Sequence, residues 1–201
     1  MHISDGILDL KTCLVGYAGA AAFCTFAIRK TNIDQVAKIS VMGAVFFISS
    51  IIHFKLGIIS THFSFLGLLG IILGFPSVLA ILTGLFFQAI VFQHGGLTTL
   101  GVNTLVHYLP ALAAYYAYKI STGNIKNRIL LKSLLAGIYA GIAILLSSFL
   151  IFAVIFFTDK TYRGMAIIFS LSNGILAVLE GFITFLVVRQ ILAVKPDMLS
   201  L

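Results

Sequence analysis

The chain has 201 residues, of which 60% are apolar and 9% charged, with a mean hydropathy of +1.13. That balance excludes a water-soluble globular domain, where about a quarter of residues are charged. The net charge of +7 does not point to nucleic acid, because the basic residues fall in short clusters between apolar runs, a pattern that orients a chain in a bilayer.

The opening, MHISDGIL, has no basic stretch ahead of its apolar run and no small-residue cleavage site after it, so Met1 is expected to persist as the amino terminus. Apolar runs then predict spans near 12–28, 39–54, 63–74, 77–92, 104–118, 133–157 and 164–188. The first carries Gly16, Gly19 and Ala20 on one face, which suits close helix contact inside the protein or with another subunit. Cys13 and Cys24 share that span and lie roughly 16 Å apart along its axis, too far to bond to each other.

The third and fourth runs are separated by GFPS at 74–77. As one helix they would reach about 45 Å, against a hydrocarbon core of about 30 Å, so Gly74 and Pro76 are read as a break. Between Lys55 and Lys119 there is no Asp, Glu, Lys or Arg. With seven spans, Arg29, Lys30, Lys38, Lys119, Lys126, Arg128, Lys132, Arg189 and Lys195 share one side, and Lys11, Lys55, Lys160 and Arg163 the other. The positive-inside rule then places the amino terminus outside and the carboxyl terminus in the cytoplasm. The prediction is an all-α polytopic membrane protein of seven transmembrane helices, a single domain over 1–201, in the plasma membrane of a prokaryote.

This orientation uses lysine and arginine alone, and it puts His2, His53, His62, His94 and His107 all on the outer half. The outer loops STHFS and QHGGLTTLGVN carry no charge, and irregular backbone of that kind is tolerated in a membrane where protein covers it or it lines a cavity. Both are read as walls of an external cup.

A histidine at position two has a particular chemistry. The α-amine of Met1, the amide nitrogen of His2 and the His2 imidazole can chelate one ion through fused rings, provided the amide loses its proton. Ni²⁺ or Cu²⁺ in a square-planar nitrogen site can enforce that loss. One corner remains for a distant imidazole. His62 is the first choice, His94 and His53 follow, and His107 reads as a structural hydrogen-bonding residue. Asp5 either accepts a hydrogen bond from an imidazole or caps the first helix. Asn103 either tethers the tucked-in amino terminus or caps the fifth helix. Glu180 is the only acid deep within a span; it reads as lying toward the inner half, away from the cup, held by internal hydrogen bonds or meeting a partner subunit.

MHISDGIL resembles the M-H-I-x-D/E-G start of the substrate-capture membrane component of nickel and cobalt energy-coupling-factor transporters, the CbiM/NikM type. THFSFLGLLGIILGFPSVLAILTGLFFQAIVFQHGGLTTLGVN is similar to that family's central block, and LEGFIT to its last helix. The resemblance implies seven helices with the amino-terminal segment tucked into an external metal pocket, and a Ni²⁺ or Co²⁺ cargo held by Met1, His2 and His62. It also implies partners, a transmembrane coupling protein and two cytoplasmic ATPase subunits, with no catalytic cofactor. The chain has no G-x-x-x-x-G-K-[ST] loop with which to hydrolyse ATP itself. His94 stands where the family often has an acid, which makes it an accessory ligand candidate. The Asp5-Gly6 form of the opening leans toward nickel.

Two other classes compete with this reading. A haem-bearing membrane electron carrier would use paired histidines such as His53 and His107. A membrane hydrolase is disfavoured by the lack of H-E-x-x-H and G-x-S-x-G.

Overall fold

The computed structural model describes residues 2–56, 59–125, 128–158 and 163–199, without the side chains of 53–60, 163 and 165–172. Seven helices account for most of it: α1 Leu10–Lys30, α2 Ile33–Ser49, α3 Leu66–Leu73, α4 Ser77–Phe92, α5 Leu100–Thr122, α6 Ile129–Thr158 and α7 Arg163–Val194. Between α2 and α3 lies a short antiparallel hairpin, β1 His53–Leu56 and β2 Ile59–His62, in which His53 is paired with His62.

The hairpin corrects two expectations. The fold is not purely helical, and the second span stops at Ser49 rather than running through His53. Ser49 and Ser50 end the helix by turning their hydroxyls back onto the carbonyls of Phe46 and Phe47. Serine competes in this way for backbone groups and weakens helix continuation.

The break at GFPS falls where the sequence places it. Gly74 adopts φ +62°, a left-handed conformation that glycine takes without strain, and Pro76 sits directly ahead of α4. The third element is four residues shorter than the 63–74 run. At eight residues α3 extends about 12 Å, and every one of its side chains is buried by the surrounding protein. Among the described residues, three helices are long and apolar enough to cross a membrane: Leu10–Lys30, Ile129–Thr158 and Asn173–Val194. On α6 the exposed residues Leu134, Ile138, Ile142, Leu145 and Phe149 recur every three or four positions, a lipid-facing stripe that water would not tolerate.

Small residues let the helices touch backbone to backbone. A Cβ added to Gly16 of α1 would lie 2.7 Å from the Val102 nitrogen of α5, and one on Gly101 would lie 2.4 Å from the Tyr17 nitrogen. The small face of α1 is therefore used inside the chain. A Cβ on Gly70 would reach 1.9 Å from the Ala111 oxygen, seating α3 on α5, and Gly137 meets the Gly181 oxygen where α6 crosses α7. Such approaches are the usual source of helix affinity in an apolar medium.

These contacts fix the direction of each helix. α1, α3, α5 and α7 run away from the end that carries the hairpin and the 93–99 loop, and α2, α4 and α6 return to it. Arg29, Lys30, Lys119, Arg128 and Lys195 gather at the opposite end, where Lys38 also reaches the Met198 carbonyl oxygen at 2.6 Å.

Candidate metal centre

The amino-terminal segment is folded inward, and Ile3 is the residue that anchors it. Its side chain is fully buried. Its amide donates to Asn103 Oδ1 at 2.9 Å, and its carbonyl accepts from Asn103 Nδ2 at 2.9 Å and from the Thr99 hydroxyl at 2.7 Å. Asn103 thus clasps both polar groups of one peptide residue from the first turn of α5, whose cap position is held by Thr99.

Asp5 plays neither of the two roles read from sequence. Its carboxylate accepts from the Leu97 and Thr98 amides, at 3.2 and 2.9 Å, and from the Thr98 hydroxyl. The cap of α1 is Asp9, which accepts from the Thr12 amide. The Thr98 hydroxyl, followed by the loop amides, holds the Asp5 carboxyl below its ordinary value. Both glycines of the loop are needed for this embrace. Gly96 lies so close to Asp5 that a Cβ there would sit 1.9 Å from Oδ1, and Gly95, at φ +78°, lies against the His2 Cβ.

Held in this way, His2 meets three other imidazoles. Its ring centroid lies 5.0 Å from His62, 5.4 Å from His107 and 6.4 Å from His94, with His62 and His94 6.0 Å apart. The His2 and His62 Nε2 atoms are 3.1 Å apart. His62 Nδ1 lies 2.9 Å from the Phe63 carbonyl oxygen and must be the protonated nitrogen, since a carbonyl can only accept. Its Nε2 therefore presents a lone pair toward His2. The buried His2 Nδ1 has no hydrogen-bond partner among the described residues.

His107 donates from Nδ1 to the Asn103 carbonyl at 2.7 Å, and its ring centroid lies 5.4 Å from that of His2 and 6.4 Å from that of Phe46. Met1 and the His53 side chain lie outside the described residues. Among the described residues no three His, Cys, Asp or Glu side chains are set to hold one ion. The cluster brings imidazoles into contact without making a closed side-chain cage.

Burial holds both central rings neutral. Desolvation takes His2 well below its ordinary 6.5, with the neighbouring imidazoles adding to the effect. Burial likewise pushes His62 down to about 2, opposed by its bond to Phe63. At neutral pH neither ring must shed a proton before donating a lone pair.

Glu180 is fully buried but is not remote from this centre, contrary to the sequence reading. Its Oε1 accepts from the Ser64 amide at 2.6 Å and from the Ser64 hydroxyl at 3.2 Å, two residues beyond His62. Counting along α7 could not reveal this, because the loop after β2 dips inward to meet the helix.

Comparison with known proteins adds an independent line. The family described as "Cobalt uptake substrate-specific transmembrane region", CbiM, matches residues 2–198. A protein of Haemophilus influenzae provisionally named a metal transport protein is 34% identical over 143 residues, covering 71% of this chain and 68% of that one. A cobalt transport protein CbiM of Thermosipho melanesiensis is 30% identical, with 95% of this chain and 86% of that one covered. A protein of Archaeoglobus fulgidus provisionally named a fused nickel transport protein NikMN is 30% identical over all of this chain and 68% of its own. A crystal structure of a transition metal transporter shares the fold with a TM-score of 0.82 at 21% identity, covering 98% of this chain and 94% of the other. The chain belongs to the CbiM family of transmembrane metal-transport components.

Proposed function

We propose that the chain is the substrate-capture subunit of an energy-coupling-factor importer for nickel or cobalt ions. The ion is taken from outside the cell and held by the Met1 amine, the His2 amide nitrogen and imidazole, and His62. His94 stands beside them as an accessory donor. The basic end faces the cytoplasm, where a membrane coupling protein and two ATPase subunits drive release.

One observation carries this reading. The His2 ring nitrogen nearest the backbone, Nδ1, is buried and has no partner among the described residues, and it is the ring nitrogen a fused terminal chelate uses. A buried polar atom left without a partner costs about 1–3 kcal/mol, a cost that a ligand can relieve. The His62 lone pair, aimed at the same ring from 3.1 Å, supplies the distant corner. That no closed side-chain cage occurs among the described residues also suits a site that draws two of its four donors from the first backbone nitrogens.

Isothermal titration of the purified protein with Ni²⁺ and Co²⁺ tests the proposal. Protein with its native start is expected to bind one ion tightly, and His2→Ala to lose binding. Added residues ahead of Met1 should do the same, since they convert the amine to an amide. Full nickel binding by the extended protein would refute the terminal chelate.

A further inference from the structure

The peptide group that joins Phe63 to Ser64 is engaged on both faces. Its carbonyl accepts from His62 Nδ1 at 2.9 Å and from the Ser49 hydroxyl at 3.1 Å. Its N–H donates to Glu180 Oε1 at 2.6 Å, a short contact for an amide donor. The Ser64 hydroxyl adds a second bond to the same oxygen at 3.2 Å. Glu180 has no solvent exposure and its other oxygen has no partner among the described residues, so its hydrogen bonding is spent on this turn of chain, on the Ser64 amide and hydroxyl with the Phe65 amide beside them.

We propose that Glu180 is a positioning residue for the metal centre, acting on His62 through the Phe63–Ser64 peptide. The inference rests on the reading of His62 as a ligand. Metal-bound histidines commonly donate their other ring N–H to a carboxylate or a carbonyl, which fixes the tautomer and raises the basicity of the coordinating nitrogen. Here the two devices are joined in series. Glu180 draws on the peptide N–H, and the resonance of the amide passes electron density to the Phe63 oxygen. That oxygen then accepts more strongly from His62 Nδ1, and hydrogen bonds chained in this way reinforce one another in a low-dielectric interior. The result is a His62 ring held in one tautomer and one orientation, with Nε2 directed at His2. Helix α7, which supplies none of the donors, thereby sets the quality of the donor on β2.

The test uses full-length protein with its native start, in detergent, titrated with Ni²⁺ alone. Glu180→Ala and Glu180→Leu remove the acceptor and are expected to weaken binding by about 10- to 100-fold. Glu180→Gln keeps an acceptor oxygen and is expected to recover most of the loss. Either acceptor-less variant, folded and monodisperse, binding nickel as wild type would overturn the proposal, and so would a folded Glu180→Gln as weak as Glu180→Ala. Should the variants fail to fold, ¹⁵N-histidine NMR of the metal-free wild type decides. His62 is expected as the Nδ1–H tautomer, and the Nε2–H tautomer overturns the relay. His62→Ala separates the two readings. If it binds nickel normally, the ligand assignment fails; if it loses binding while Glu180→Ala does not, only the relay fails.

Discussion

At the scale of single residues, the centre depends on how an otherwise loose amino terminus is kept in place. Asn103 does most of this, and its role was only half legible in the sequence. Its position after the glycine-rich loop offered tether or cap, and a single chain cannot say which backbone a side-chain amide will meet. Asn103→Ala removes two buried hydrogen bonds to Ile3. The expected cost is about 1–3 kcal/mol, felt as weaker nickel binding of roughly five- to a hundredfold in a titration. Asp5 departs from both of its sequence roles for a related reason: its partners, Leu97 and Thr98, lie far along the chain, and nothing local announces them. Acid acts at this scale too. His62 has a pKa of about 2 in the fold and 6.5 as a free side chain. Between those values the unfolded chain takes up a proton that the folded one refuses, so stability falls as pH drops. Metal-free protein is therefore expected to be most stable above pH 6.5 and to lose melting temperature as the pH is lowered below it. His62→Gln should flatten that slope in a thermal-shift series.

At the scale of elements, the parallel contact of α1 with α5 joins the helix that follows the tucked segment to the helix that carries its clasp. A side chain at Gly101 has nowhere to go, with the Tyr17 nitrogen 2.4 Å and the Gly16 carbonyl carbon 2.6 Å from an added Cβ. Gly101→Leu should cost about 1–3 kcal/mol, as overpacking typically does, and weaken nickel binding as α1 is pushed away. Gly174→Ala meets open space and is expected to leave both melting temperature and binding unchanged. The sequence made the seven helices and the GFPS break legible, because periodic apolar runs and a Gly-Phe-Pro interruption act locally. It hid the hairpin, since HFK and STH adjoin apolar runs that read equally well as helix. It also overstated α3, because a helix wrapped by protein is as apolar as one wrapped by lipid.

At the scale of the whole molecule, the chain is polarised along its long axis. Imidazoles and an uncharged loop occupy one end, and Arg29, Lys30, Lys119 and Arg128 the other. If the basic end is cytoplasmic, a cysteine placed at Leu97, which is 48% exposed in the loop, should react in intact cells with a membrane-impermeant maleimide. One placed at Lys30 should react only after the cells are opened. These probes are read in a background with Cys13 and Cys24 replaced by alanine, and the reverse pattern would invert the topology. The enclosed eight-residue helix has a consequence for biogenesis. Too short to bridge the hydrocarbon, α3 touches α2 but leans chiefly on α5 and α6, which are synthesised after it, so most of its packing is missing when it leaves the ribosome. It must be held back by the insertion machinery or by α4 until the later helices arrive. A chain truncated after α4 is therefore expected to be degraded faster than the full-length protein, which a pulse-chase measurement checks.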